Sequence, residues 1–121
     1  MKVLVVDDSE MVRNYYYYVL TNAGFDVVSA IDGVDGIEKL FNSPDISLII
    51  SDINMPNMDG YTMIKKVRKE EKFQYLPIIL ASTESEASGK QKGLNAGADA
   101  YIVKPIEPNI LIENIRLLTL N

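Results

Sequence analysis

An α/β fold, with a parallel sheet covered by helices on both faces, is what this sequence predicts. Three observations carry that expectation. Short unbroken runs of Val, Ile and Leu recur along the chain, segments of helical length and spacing separate them, and the two alternate five times in 121 residues. Runs of this kind, without period-two alternation, are the pattern of strands buried on both faces. Alternation with helices then implies parallel pairing, because each parallel crossover needs a covering helix and is right-handed.

The first strand is expected over 3–6, followed by a helix over 9–23 with Val12, Tyr15, Tyr16, Val19 and Ala23 on one face. Gly24 closes that helix. The second strand is 27–30, and Gly33 marks the turn before a helix over 34–42 that carries Ile37, Leu40 and Phe41. A third strand at 47–51 precedes a loop and then a helix over 61–71 bearing Met63, Ile64, Val67 and Arg68. The fourth strand, 77–81, leads to a helix over 86–96 with Gly93, Leu94 and Ala96, and Gly97 ends it. The last strand is 100–103 and the last helix 108–119, with Ile110, Leu111, Ile115 and Leu118 inward. No linker or low-complexity tract interrupts the pattern, so one domain over 1–121 is expected, and its start and stop favour a complete product.

Composition removes several functions. Seventeen acidic against twelve basic residues leave a net charge of −5, which argues against a grip on nucleic-acid phosphates. No apolar run approaches the ~18 residues of a membrane span, and the apolar stretch after Met1 is too short for a signal-peptide core, so a cytoplasmic location is expected. The chain has no Cys and no His. Thiol chemistry, thiolate or imidazole metal sites and Ser-His-Asp triads are therefore excluded. What remains is carboxylates, hydroxyls, Lys, backbone amides and a hard, oxygen-liking cation.

In an open α/β sheet, ligands bind outside the carboxyl ends of the strands. Asp7 and Asp8 follow the first strand, Asp32 and Gly33 the second, and Asp52 the third, while Ser82 and Thr83 follow the fourth and Lys104-Pro105 the fifth. Each has an ordinary reading. Asp7-Asp8 and Ser82 suit helix caps, Asp52 a strand-end turn, and Lys104 a salt bridge with Asp52. If the first and third strands are neighbours, however, Asp7, Asp8 and Asp52 crowd together and repel unless a cation is present. With only oxygen ligands, Mg²⁺ fits. An ammonium at the same mouth would pair with a carboxylate at rest and with a phosphate oxygen when one arrives. Mg²⁺, a carboxylate nucleophile, Lys104 and the Ser82 hydroxyl together describe phosphoryl transfer to Asp52. Without His, the chain must receive its phosphoryl group from a partner or a small phosphodonor. Lys104–Pro105 is also a candidate cis bond, a form taken by about 5% of X–Pro bonds.

Four consecutive tyrosines, Tyr15 to Tyr18, sweep right around the first helix. Tyr16 is expected inward, Tyr15 intermediate, and Tyr17 and Tyr18 in solvent, either as tolerated surface aromatics or as a docking patch. Met11, Met55, Met58 and Met63 are expected to fill gaps in the packing.

Asp7-Asp8, Asp52-Ile53-Asn54-Met55-Pro56, Ser82, Tyr101 and Lys104-Pro105 resemble the receiver domain of two-component response regulators, the stand-alone CheY type in particular, across essentially the whole chain. The resemblance implies a flavodoxin-like, doubly wound (βα)5 fold with strand order 2-1-3-4-5, for which CheY is itself a standard example. It implies Asp52 as phosphoacceptor, and Mg²⁺ held by Asp8, Asp52 and the backbone carbonyl of Asn54, with Asp7 acting through water. Ser82 and Lys104 would bind phosphoryl oxygens. Ser82 would also move with Tyr101 to remodel the fourth helix, fifth strand and fifth helix, a two-state switch. Asn54, Thr83 and Glu84 would tune the cleft. Thr83 stands where the family usually carries Ala or Gly and would slow phosphoryl exchange, whereas Asn54 with Glu84 resembles the polar pair of rapidly self-dephosphorylating members.

The implied partners are a histidine kinase or His-phosphotransfer protein as donor and a downstream target protein, with no nucleic acid and no membrane. A monomer is expected, with dimerisation on phosphorylation open. The chain would be no enzyme beyond catalysing its own phosphorylation and dephosphorylation. A relay intermediate that passes phosphate to a His-phosphotransfer protein is the alternative. A phosphatase of the haloacid dehalogenase type would want a second Asp two residues after Asp52, and Asn54 cannot titrate. A flavin- or nucleotide-binding module would find Asp7-Asp8 repelling its phosphate.

Overall fold

Strand β1 (Lys2–Val6) shows how the sheet comes to be buried on both sides. Successive side chains of a strand point to opposite faces. Val3 and Val5 enter one apolar cluster with Tyr16, Leu20, Leu111 and Ile115, while Leu4 and Val6 enter a second with Leu40, Met63, Ile64 and Val67. All four β1 residues are fully buried, and burial of such side chains contributes about 1.5–3 kcal/mol each. An alternating sequence could not fill both clusters, which is why the strands are continuous apolar runs.

The computed structural model describes residues 1–83 and 87–120. The remaining strands are β2 (Asp26–Ala30), β3 (Leu48–Asp52), β4 (Ile78–Ser82) and β5 (Ala100–Val103). They pair in the order β2-β1-β3-β4-β5, every pair parallel. Helices α1 (Glu10–Asn22) and α5 (Pro108–Thr119) cover one face, and α2 (Gly33–Asn42), α3 (Gly60–Lys69) and α4 (Ala87–Ala96) the other. This is the doubly wound five-stranded architecture the sequence predicts.

Local chemistry explains the helix ends. Ser9, Asp32 and Asp59 cap α1, α2 and α3, accepting backbone N–H bonds from Val12, Asp35 and Thr62 at 3.3, 2.8 and 2.7 Å. Gly24 and Gly97, just past α1 and α4, take φ of +93° and +118°. Three details differ from expectation. Gly33 lies inside α2 rather than before it. The third helix stops at Lys69 and residues 71–73 form a separate 3₁₀ turn, because Glu70 is extended at φ −82°, ψ 122°. Met11 fills no gap, being 81% exposed, although Met63 is fully buried.

Candidate functional site

Among the described residues, the buried polar or charged side chains are Asp7, Asp32, Ser51 and Ser82, and all lie at the carboxyl ends of β1 to β4. Burying such groups costs free energy unless they are hydrogen-bonded or paired. Their concentration at the ligand-binding edge of the sheet marks the site.

Register brings the acids together. β1 and β3 are neighbours with Val6 opposite Ser51, so Asp7, next after β1, stands beside Asp52. Asp7, Asp8 and Asp52 each offer a carboxylate oxygen, all within 4.8 Å of one another. Asp7 is buried, Asp52 half-buried and Asp8 exposed. Across the site, the Lys104 ammonium lies 2.7 Å from Asp7 Oδ2 and 3.3 Å from Asp52 Oδ1. Its nearer partner is thus Asp7, not the Asp52 that a simple pairing would join to it. The other Asp7 oxygen accepts the Ser9 N–H at 2.9 Å, and Asp52 Oδ1 accepts the Ile53 N–H at 2.9 Å.

The electrostatics follow from one cation shared by several carboxylates. Burial raises the Asp52 carboxyl above its ordinary range; Lys104 pulls it down, and the Asp7 charge adds to the rise. Burial works against the Lys104 ammonium, but hydrogen bonding to Asp7 and the charges of Asp52 and Asp7 outweigh it, so its pKa is raised. The donor set contains only oxygens and carries excess negative charge, a combination that fits a hard divalent cation.

Two backbone features hold Asp52 in place. Gly60 opens α3 directly against it, and a Cβ there would collide with the Asp52 carbonyl oxygen. The Gly60 N–H also donates to the Ile53 carbonyl at 2.8 Å. On the far side, the Lys104 N–H donates to the Ser82 carbonyl at 2.7 Å, and the Lys104–Pro105 bond is cis.

Ser82 ends β4 beside Asp52, since Asp52 pairs with Ala81 across β3 and β4. Thr83 and Asn54 are exposed at the rim, Tyr101 is half-buried on β5 against α4, and Glu84 lies outside the described residues. Asp32 does not join the acidic cluster. Its oxygens are taken by the α2 cap and by the Asn57 amide, which donates at 2.7 Å, and its carboxyl sits below the ordinary range.

A family model, the response regulator receiver domain, matches residues 3–116. The chain belongs to that family. Chemotaxis protein CheY1 of Helicobacter pylori is 41% identical over 118 residues, which cover 97% of this chain and 95% of that protein. Chemotaxis protein CheY of Treponema pallidum is 41% identical over 116 residues, covering 94% and 79%. The structure of Vibrio cholerae CheY4 superposes with a TM-score of 0.91 at 36% identity, covering 97% of both chains. A chain of the CheX-CheY-BeF3-Mg²⁺ complex from Borrelia burgdorferi gives a TM-score of 0.93 at 27% identity, covering all of this chain and 90% of that one.

This receiver domain is therefore of the CheY type, and such proteins are signalling switches rather than classical enzymes. Receiver domains take phosphate from a histidine kinase and act on downstream targets. Among the described residues, no helix is long and apolar enough to cross a membrane.

Sequence reasoning missed the roles of two residues that build the receiver's frame, although it had placed Arg68 on the third helix. Asn57, at φ +69°, ties the β3–α3 loop to Asp32. Arg68 joins α3 to the segment before β4 and to the turn between α4 and β5, as its donors reach the carbonyls of Phe73, Leu76 and Gly97 at 2.7–3.1 Å. The available signal was a cation on an otherwise apolar helical face.

Proposed function

We propose that residues 1–121 form one receiver domain, a phosphorylation-activated switch of a two-component chemotaxis system, with Asp52 as phosphoacceptor. A histidine kinase or His-phosphotransfer protein supplies the phosphoryl group in the cytoplasm. The observation that carries this reading is the Lys104 ammonium 3.3 Å from Asp52, inside a cluster where three carboxylates approach within 4.8 Å. The chemotaxis assignment rests on the relatives in Helicobacter pylori and Treponema pallidum.

Asp8, Asp52 and the Asn54 backbone carbonyl would hold Mg²⁺ directly, and Asp7 would act through water. When bound, Mg²⁺ offsets negative charge on the transferring phosphoryl group. The Asp52 carboxylate attacks phosphorus, a bond from its oxygen to phosphorus forms, and the bond to the donor breaks. Lys104 pairs with a phosphoryl oxygen, and the Ser82 hydroxyl donates to another. Movement of Ser82 lets Tyr101 turn inward and remodels the α4–β5–α5 surface for a downstream protein. A coupling of about 1–3 kcal/mol between phosphorylation and partner binding suits such a switch. Asn54 and Thr83 at the rim, together with Glu84, set how fast the acyl phosphate hydrolyses.

The test is labelling by acetyl phosphate, with Mg²⁺ present or chelated, in the parent and in Asp52→Asn. Label is expected only in the parent and only with Mg²⁺. Undiminished label in the variant would refute the assignment.

A further inference from the structure

Strand β2 ends the sheet on one side, with β1 as its paired neighbour. An edge strand presents a row of N–H and C=O groups that invites another strand. The Ala30 carbonyl accepts the Asp7 N–H at 3.1 Å and so faces β1. Backbone groups alternate sides along a strand, which turns those of Val27, Ser29 and Ile31 to the outer edge.

Side chains of α2 take two of these outward groups. Lys39 Nζ donates to the Ser29 carbonyl at 3.0 Å, and Asp35 Oδ2 accepts the Ile31 N–H at 3.0 Å. Lys39 and Asp35 stand one helical turn apart and pair with each other at 3.4 Å. A C=O and the N–H two residues further on are the groups that a single residue of the next parallel strand would meet. The ammonium stands in for that residue's N–H, and the carboxylate for its C=O. An ion pair at a surface adds little to stability. Its alignment with the strand edge gives it a different use.

The edge is also complementary to itself. When two β2 strands run antiparallel about a two-fold axis at Ser29, that residue faces its own copy, and Val27 of each chain faces Ile31 of the other. Ile31 is 54% exposed and Val27 half-buried, so each such pair covers apolar surface. The opposed residues exchange N–H···O bonds, which use the Ser29 carbonyl and the Ile31 N–H of both chains.

We propose that the outer edge of β2 is a strand-pairing surface for a second copy of this chain, held shut by Asp35 and Lys39. Both groups that the ion pair occupies must be released in each copy before the strands can join. Nothing in this depends on which residue accepts a phosphoryl group.

The experiment follows self-association by sedimentation over a concentration series, with amide hydrogen exchange reading the edge. It compares the parent with Asp35→Ala/Lys39→Ala, Lys39→Met and Lys39→Arg. The double variant loses one acid and one base, so the net charge stays at −5 and a change in overall repulsion is not the cause of any association. It is expected to associate at least about tenfold more tightly than the parent, because four competing hydrogen bonds are gone from the pair of chains. Exchange at Val27, Ser29 and Ile31 should slow as its concentration rises. Lys39→Met, which keeps the stem and loses the donor, should move in the same direction, whereas Lys39→Arg should behave as the parent. Folded variants that associate no more tightly than the parent overturn the proposal. So does association that protects the β5 amides instead of those of β2, or a parent that already pairs through β2 with the ion pair intact.

Discussion

Asp7 and Asp32 stand at the same sheet edge, one strand apart, and differ in what surrounds them. Asp7 meets an ammonium at 2.7 Å and belongs to the reactive cluster; Asp32 meets only N–H groups and belongs to the frame. The difference predicts a pH effect. The N–H of Asp35, then the Asn57 amide, hold the Asp32 carboxyl below its ordinary 3.8. A depressed folded pKa means stability that is fully present well above pH 3.8 and is lost as pH falls through the lower folded value. Asp32→Asn is therefore expected to be less stable than the parent at neutral pH, with the gap narrowing below pH 3.8; urea unfolding at a series of pH values checks this. Residue-scale legibility was uneven. The tyrosine run follows helical geometry with Tyr16 inward at 2% exposure and Tyr17 and Tyr18 outward at 57% and 71%, while Tyr15, expected to be intermediate, is exposed at 37%. The bond from Tyr15 to Ile106 joins residues 91 apart, and no local pattern encodes it.

At the scale of elements, every strand and helix was legible as a type, because apolar runs and helical spacing report burial directly. Their ends were legible only in part: β5 and α5 fall on the expected 100–103 and 108–119, while others shift, since an end depends on what the neighbouring segment does. The third helix shows this: Arg68 draws in the carbonyls of Phe73 and Leu76, and its guanidinium meets Asp99 at 3.1 Å. Replacing Arg68 with Met strands several half-buried carbonyls. A loss of about 2–4 kcal/mol is expected in urea unfolding, and Lys, lacking the planar fork, should recover little of it. Gly60→Ala probes the other end of α3. Its Cβ would collide with the Asp52 carbonyl, so labelling of Asp52 should slow at least tenfold even where circular dichroism shows the domain folded.

Across the whole molecule, two facts could not be read from periodicity. Strand order was one, and it entered through family resemblance. The other depends on it: Asp8, Asp52 and Lys104 are far apart in sequence, and only β1 lying next to β3 places the two carboxylates together. The motif residues were thus visible as strand-end chemistry, while their convergence is a property of the fold. The same topology leaves the α1–α5 face and the α2–α4 face separately packed, so the site sits where both cores meet the sheet's edge. The decisive measurement is peptide mapping by mass spectrometry after incubation with acetyl phosphate and Mg²⁺. The mass of one phosphoryl group is expected on Asp52 and nowhere else, and lost when Mg²⁺ is chelated. A phosphoryl group on a different residue, or none at all on a folded chain saturated with Mg²⁺, would contradict the account.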